Sequence, residues 1–178
     1  MHSLSGYSIS PEEDSMLPVV AQRYLTLHSD ATRQLGFQLG RQARGGDCIA
    51  CIGTLGAGKT TFVQGFAAGL GINDEAYVRS PTFALVHEYY GRLALFHFDF
   101  YRLSHASEVY DIGFGEYLEA GGVVIAEWAD RFINVLPTSR LDISIQLSRG
   151  ETRSILCTTY DSSHCRYFLS DPMGCLQP

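Results

Sequence analysis

Apolar residues change their spacing several times along this chain, and each change marks an element. Across residues 24–28 apolar and polar positions alternate, the period of an edge strand. Ser29 or Asp30 then supplies an N-cap. Leu35, Phe37 and Leu39 are apolar positions of a helix predicted to run to about Arg44, where Gly45-Gly46 stops it. Residues 47–52 form a short apolar run, the pattern of a buried strand. A second helix carries Phe62, Val63, Phe66 and Leu70 and stops at Gly71. The β-rich runs 82–90 and 93–101, joined by Gly91-Arg92, predict an antiparallel hairpin. A short acidic helix is expected over 105–112, and 122–126 is a fully apolar strand ending in Glu127-Trp128. Residues 141–147 alternate again, turn at Arg149-Gly150 and pair with 152–159 as a terminal hairpin. No internal repeat is present.

Between the buried strand and the second helix lies Gly53-Thr54-Leu55-Gly56-Ala57-Gly58-Lys59-Thr60, a complete G-x-x-x-x-G-K-[ST] phosphate-binding loop. Strand, glycine-rich loop and helix in that order are the context that separates such a loop from a chance match. Its backbone N–H groups and the positive end of the following helix face an anion. Gly56 and Gly58 allow close backbone approach. Lys59 is the only lysine of the chain; the other twelve basic residues are arginine. A compact ammonium fits between two phosphates where a planar guanidinium does not. The nucleotide-binding candidates are Gly53, Leu55, Gly56, Ala57, Gly58, Lys59, Thr60 and Thr61, with the Thr60 hydroxyl as a Mg²⁺ ligand. The expected fold class is α/β: a three-layer P-loop NTPase-like domain whose mixed sheet is parallel around the loop and antiparallel at its edges.

A magnesium site needs a carboxylate near Thr60, and two are available. Glu127 ends the apolar strand, the place of a Walker-B acid. Asp99 lies in His97-Phe98-Asp99-Phe100-Tyr101-Arg102, where a strand would put His97, Asp99 and Tyr101 on one face and the phenylalanines on the other. That polar face either looks into a site or is simply solvated. Thr82, after Ser80-Pro81, presents a hydroxyl to a γ-phosphate or marks a strand-entry turn. Arg79, Arg102 and Arg153 are candidates to offset transition-state charge. With one lysine, already in the loop, the chain lacks both the N-K-x-D guanine motif of ordinary GTPases and the strand lysine of protein kinases. It also lacks an ABC-type signature and an arginine-rich lid. A hydrolase, a small-molecule kinase and a nucleotide-gated binding module all remain open at this point.

Composition narrows the setting. The 178 residues are 46% apolar and 18% charged, enough for one globular domain. The expected division is a flexible lead over 1–22, an ATPase domain over 23–160 and a tail over 161–178. A net charge of −6 without basic runs disfavours direct binding to bare nucleic acid. No targeting segment or membrane span is found, so a cytoplasmic location is expected. Five cysteines without framework spacing imply reduced thiols. Cys48 and Cys51 form a C-x-x-C on a strand, where residues three apart face opposite ways. Buried thiols are therefore expected there, not a zinc site completed by Cys165 and Cys175.

Four motifs in order, the loop through Thr61, Ser80-Pro81-Thr82-Phe83, His97-x-Asp99-x-Tyr101-Arg102-Leu103 and Glu127-Trp128, resemble the TsaE (YjeE) family over roughly residues 24–158. The resemblance implies a small bacterial P-loop ATPase using ATP and Mg²⁺. It would support threonylcarbamoylation of adenosine 37 in tRNA (t6A), with TsaD and TsaB as partners in a transient complex and tRNA held only through them. It further implies that Lys59 contacts β/γ-phosphates and that Thr60 and Glu127 bind Mg²⁺. Thr82 and Asp99 would flank the γ-phosphate, with Asp99 positioning or deprotonating water. Trp128 would pack beside the nucleotide, and Ser29 and Arg153 would lie near the adenosine. Thr54 stands where the family usually has Asp.

Overall fold

The computed structural model describes residues 18–72 and 77–168. The acidic cluster at Glu12, Glu13 and Asp14, most of the expected lead, and Cys175 lie outside them. Seven strands form one sheet in the order β1-β7-β6-β2-β5-β4-β3. They are β1 (Val20–Thr26), β2 (Cys48–Ile52), β3 (Val86–Tyr90), β4 (Ala94–Asp99), β5 (Val123–Glu127), β6 (Leu141–Leu147) and β7 (Arg153–Thr159). The central strands β6, β2, β5 and β4 are mutually parallel. β1 and β7 on one side and β3 on the other pair antiparallel. The mixed sheet expected from the sequence is therefore the one that forms.

Helices cover both faces. Against one lie α1 (Ser29–Gln42) and α2 (Lys59–Gly69). Leu35, Leu39, Phe62 and Phe66 pack there over Ile49, Cys51, Ile125 and Ile143. The other face buries Cys48, Ala50, Val124 and Ala126 against Phe96, Phe98, Phe100 and Phe114. Here lie α3 (Ala106–Asp111), α4 (Phe114–Glu119) and a 3-10 segment, Ala129–Val135. Continuous apolar runs in β2 and β5 follow from this double cover, because both sides of each strand are buried.

α1 and α2 meet backbone to backbone. Gly36 and Gly40 on α1 face Gly65 and Gly69 on α2. A Cβ built on Gly65 would stand 2.7 Å from the carbonyl carbon of Arg33, and one on Gly36 would stand 2.9 Å from the amide nitrogen of Phe66. No side chain fits in that gap, and glycine's low helix propensity is accepted for the contact.

Several boundaries differ from expectation. The first strand begins at Val20, so part of the expected lead belongs to the sheet. Neither Ser29 nor Asp30 caps α1: His28 does, its Nδ1 accepting from the Ala31 amide at 3.2 Å. Residues 82–85 form a turn ahead of β3 instead of extending the strand. α4 was not legible, since Gly113, Gly115 and a six-residue length give no periodicity. Its Phe114 plugs an aromatic cluster, with ring centroids 5.1 Å from Phe98 and 5.6 Å from Phe100.

The segment after Asp161 is not loose through Phe168. Tyr167 is 1% exposed, and its hydroxyl donates to Asp47 at the entry to β2. Arg166 pairs with the same carboxylate, which also accepts from the Arg44 amide at 2.7 Å. This clasp joins the C-terminal segment to the strand that leads into the phosphate loop.

The C-x-x-C behaves as its strand position requires. Cys48 and Cys51 fall in the two opposite cores, and both are free thiols. Burial pushes the Cys48 thiol up to about 12, and burial likewise raises Cys51 and Cys157. Alkylation of the native protein with iodoacetamide at pH 8 should therefore spare these three and modify Cys165, which is partly exposed. Peptide mass spectrometry reads the result. Equal labelling of Cys48 and Cys165 without denaturant would contradict the burial.

Candidate functional site

The site forms where β2, β5 and β4 end together. The register aligns Cys51 with Glu127 and Glu127 with Asp99, so two carboxylates sit side by side at the carboxyl ends of adjacent parallel strands. This is where open α/β sheets place ligands. The phosphate loop leaves β2 on glycines with positive φ, 77° at Gly56 and 107° at Gly58, and delivers Lys59 as the first residue of α2.

A cavity of about 380 Å³ opens there, lined among others by Lys59, Thr60, Thr82, Asp99, Glu127 and Trp128. Leu55, Gly56, Gly58, Thr61 and Arg153 of the expected set also line it, together with Ser80 and Tyr101. Three expected residues do not line it. Ser29, the first residue of α1, is not among the residues that line it. Gly53 and Ala57, within the loop, do not line the cavity; their carbonyls accept from Lys59 Nζ at 2.7 Å and Arg153 Nε at 3.0 Å.

Lys59 is buried. Its Nζ donates to the Gly53 and Thr54 carbonyls at 2.7 and 2.9 Å and stands 3.8 Å from the Trp128 ring centroid. Desolvation lowers its pKa, opposed by the negative charges of Glu127 and Asp99. Trp128 reaches this place because its backbone is left-handed, φ 57° and ψ 34°, which turns the chain sharply off β5. A bulky residue rarely adopts that conformation. Its ring also packs on Tyr101, centroids 4.9 Å apart.

The two carboxylates have separate partners. Glu127 accepts from the Thr60 hydroxyl at 2.8 Å and from His97 Nε2 at 3.0 Å. Asp99 Oδ2 accepts from Thr82 at 2.7 Å and from Ser80, while Oδ1 accepts from the Tyr101 amide at 2.9 Å. The polar face of β4 is thus turned into a site: His97 and Asp99 are 0% and 1% exposed. Tyr101 is beyond the strand end and reaches the cavity from the following turn. Sequence reasoning assigned no role to Ser80 or His97. The signals were present, a hydroxyl two residues before Thr82 and an imidazole two before Asp99.

Among the described residues no three His, Cys, Asp or Glu side chains converge to hold a metal. The Thr60 hydroxyl and the Glu127 carboxylate offer two hard oxygen donors. That small set fits Mg²⁺, which completes its shell with water and substrate phosphate.

Comparison with known proteins identifies the family. The family profile "Threonylcarbamoyl adenosine biosynthesis protein TsaE" matches residues 26–155. The chain belongs to the TsaE family. It is 38% identical over 133 residues to a tRNA threonylcarbamoyladenosine biosynthesis protein TsaE of Treponema pallidum, covering 75% of this chain and 97% of that one. Identity to the Bacillus subtilis TsaE is 40% over 137 residues, 76% of this chain and 84% of the relative. The crystal structure of Bacillus subtilis YdiB superposes with a TM-score of 0.69 at 32% identity, covering 83% of this chain and 91% of that one. The family is one of tRNA threonylcarbamoyladenosine biosynthesis, and the TsaE match spans every motif that builds the cavity. The C-terminal clasp at Arg166 and Tyr167 falls outside the matched residues.

Proposed function

We propose that this chain is an ATPase that binds ATP with Mg²⁺ at the phosphate loop and supports t6A formation in tRNA. It would act in a transient cytoplasmic complex with TsaD and TsaB, and its net charge of −6 favours leaving the tRNA to those partners. No helix among the described residues is long and apolar enough to cross a membrane. The observation that carries the reading is the meeting of Lys59, Thr60, Glu127 and Asp99 around one cavity.

In this reading the loop amides and Lys59 hold the β- and γ-phosphates at the start of α2. Thr60 and Glu127 hold Mg²⁺, whose charge withdraws electron density from the phosphate oxygens when it is bound. Asp99 retains acceptor capacity on Oδ1 after its three hydrogen bonds, since a carboxylate accepts about four. That oxygen orients the attacking water. The water oxygen would bond to the γ-phosphorus as one of its protons passes to Asp99, the bond to the bridging oxygen would break, and ADP and phosphate would leave. On ATP binding Thr82 would turn its one hydroxyl proton from Asp99 to a γ-phosphate oxygen. Trp128 and Tyr101 shield one side of the cavity, and Arg153 borders it near Gly58.

Asp99→Asn tests this reading. Phosphate release in the presence of TsaD and TsaB should fall by about 10²- to 10⁴-fold, the range for loss of a positioned base. Nucleotide affinity should change little, because the amide keeps the shape. Unaltered turnover would remove Asp99 from the chemistry. Transfer of the γ-phosphate to a small acceptor instead of water would replace the ATPase reading with a kinase.

A further inference from the structure

Glu127 is held from two sides. Thr60, on the first turn of α2, reaches both of its oxygens, at 2.8 and 3.1 Å. His97, on β4, reaches Oε1 at 3.0 Å. His97 is fully buried on the strand face that also carries Leu95, and its parallel neighbour on β5 is Ile125. A carboxylate only accepts, so the hydrogen of this bond sits on Nε2. Nδ1 has no hydrogen-bond partner among the described residues. Between Ile125 on β5 and His87 on β3, a half-satisfied imidazole is a costly way to fill space. Leucine or valine would pack there without an orphaned polar atom. What the imidazole adds is a fixed donor to Glu127.

Without that donor the Glu127 carboxylate would be tied only to Thr60, itself the other proposed ligand. His97 ties the carboxylate to the neighbouring strand β4. We propose that His97 is a positioning residue for the cation site, orienting Glu127 to receive a divalent cation shared with nucleotide phosphates. This rests on the reading of the cavity as a Mg-nucleotide site. It does not require His97 to touch nucleotide or to change protonation.

The test measures binding, not turnover. Affinity for ATP is measured by calorimetry in EDTA and across a Mg²⁺ titration for the wild type, His97→Ala and His97→Gln. In the wild type Mg²⁺ should tighten ATP binding. In His97→Ala the Mg²⁺ concentration giving half of that effect should rise about 10- to 100-fold, as for other outer-shell partners of metal ligands. ATP affinity in EDTA should stay within about twofold, since the loop amides and Lys59 are untouched. His97→Gln places an amide donor at the reach of Nε2 and should recover most of the Mg²⁺ response. A Mg²⁺ midpoint in His97→Ala within twofold of the wild type would overturn the proposal. So would an equal loss in EDTA and Mg²⁺ that glutamine does not rescue, which is the signature of a merely structural core residue. Absence of any Mg²⁺ effect in the wild type would instead overturn the Mg-nucleotide reading, and the His97 role with it.

Discussion

Replacing Lys59 by alanine is expected to lower ATP affinity by about 10²- to 10⁴-fold. Charge-assisted bonds to two phosphates contribute roughly 1.5–3 kcal/mol each, and 1.4 kcal/mol is tenfold. No other lysine exists in the chain to take its place. Lys59→Arg should fail nearly as badly, because the slot between the loop carbonyls of Gly53 and Thr54 and the Trp128 ring accommodates an ammonium, not a planar fork. Trp128 is the only tryptophan and stands over the lysine, so its fluorescence is a direct reporter. Titration with Mg-ATP should change emission in the wild type and leave both variants flat over the same range. Tight binding by Lys59→Ala would remove the phosphate loop from nucleotide recognition altogether. The same variant should fail to support tRNA modification in a reconstituted system.

The largest effect on stability is expected far from any ligand, at Gly65→Ala. A methyl group there would stand 2.7 Å from the Arg33 carbonyl carbon and closer still to its oxygen, both backbone atoms that cannot rotate away. The helices must separate, which loosens Phe62 and Phe66 against Leu35 and Leu39 as well. A loss of about 3 kcal/mol is expected, at the upper end of ordinary overpacking and a large part of a typical 5–15 kcal/mol. Gly115→Ala is the control. It lies in a helix with nothing near its added methyl, so it should be neutral or stabilising by up to about 1 kcal/mol. Urea denaturation should show a lowered midpoint for Gly65→Ala at unchanged slope. Equal midpoints for the two variants would mean that the helices are not in backbone contact.

These two predictions differ in how legible their grounds are in the sequence. Lys59 announces itself: a contiguous motif, fixed by local backbone requirements, sits between a buried strand and a helix. The long elements are equally readable. β6, β7, α1 and α2 carry a period, β2 and β5 are continuous apolar runs, and the hairpin turns at Gly91 and Gly150 are local chemistry. The residues of the site were nameable too, since Asp99, Glu127 and Thr82 stand in short ordered motifs that resemble those of the TsaE family.

Relations between distant segments were out of reach. The glycines at 36, 40, 65 and 69 read as helix-weakening residues until two helices are seen to meet on them. His97 reads as one polar residue on a strand face until the β4–β5 register brings it to Glu127. Asp47 reads as a strand start until Tyr167 and Arg166 arrive from 120 and 119 positions away. Ser29, chosen from the resemblance as a nucleotide contact, is the first residue of α1 and does not line the cavity. Elements and motifs depend on backbone preferences over a few residues, and those were determined by the sequence alone. Which side chains share a hydrogen bond, a close approach or a carboxylate depends on strand order and helix packing. Only the tertiary structure decided that.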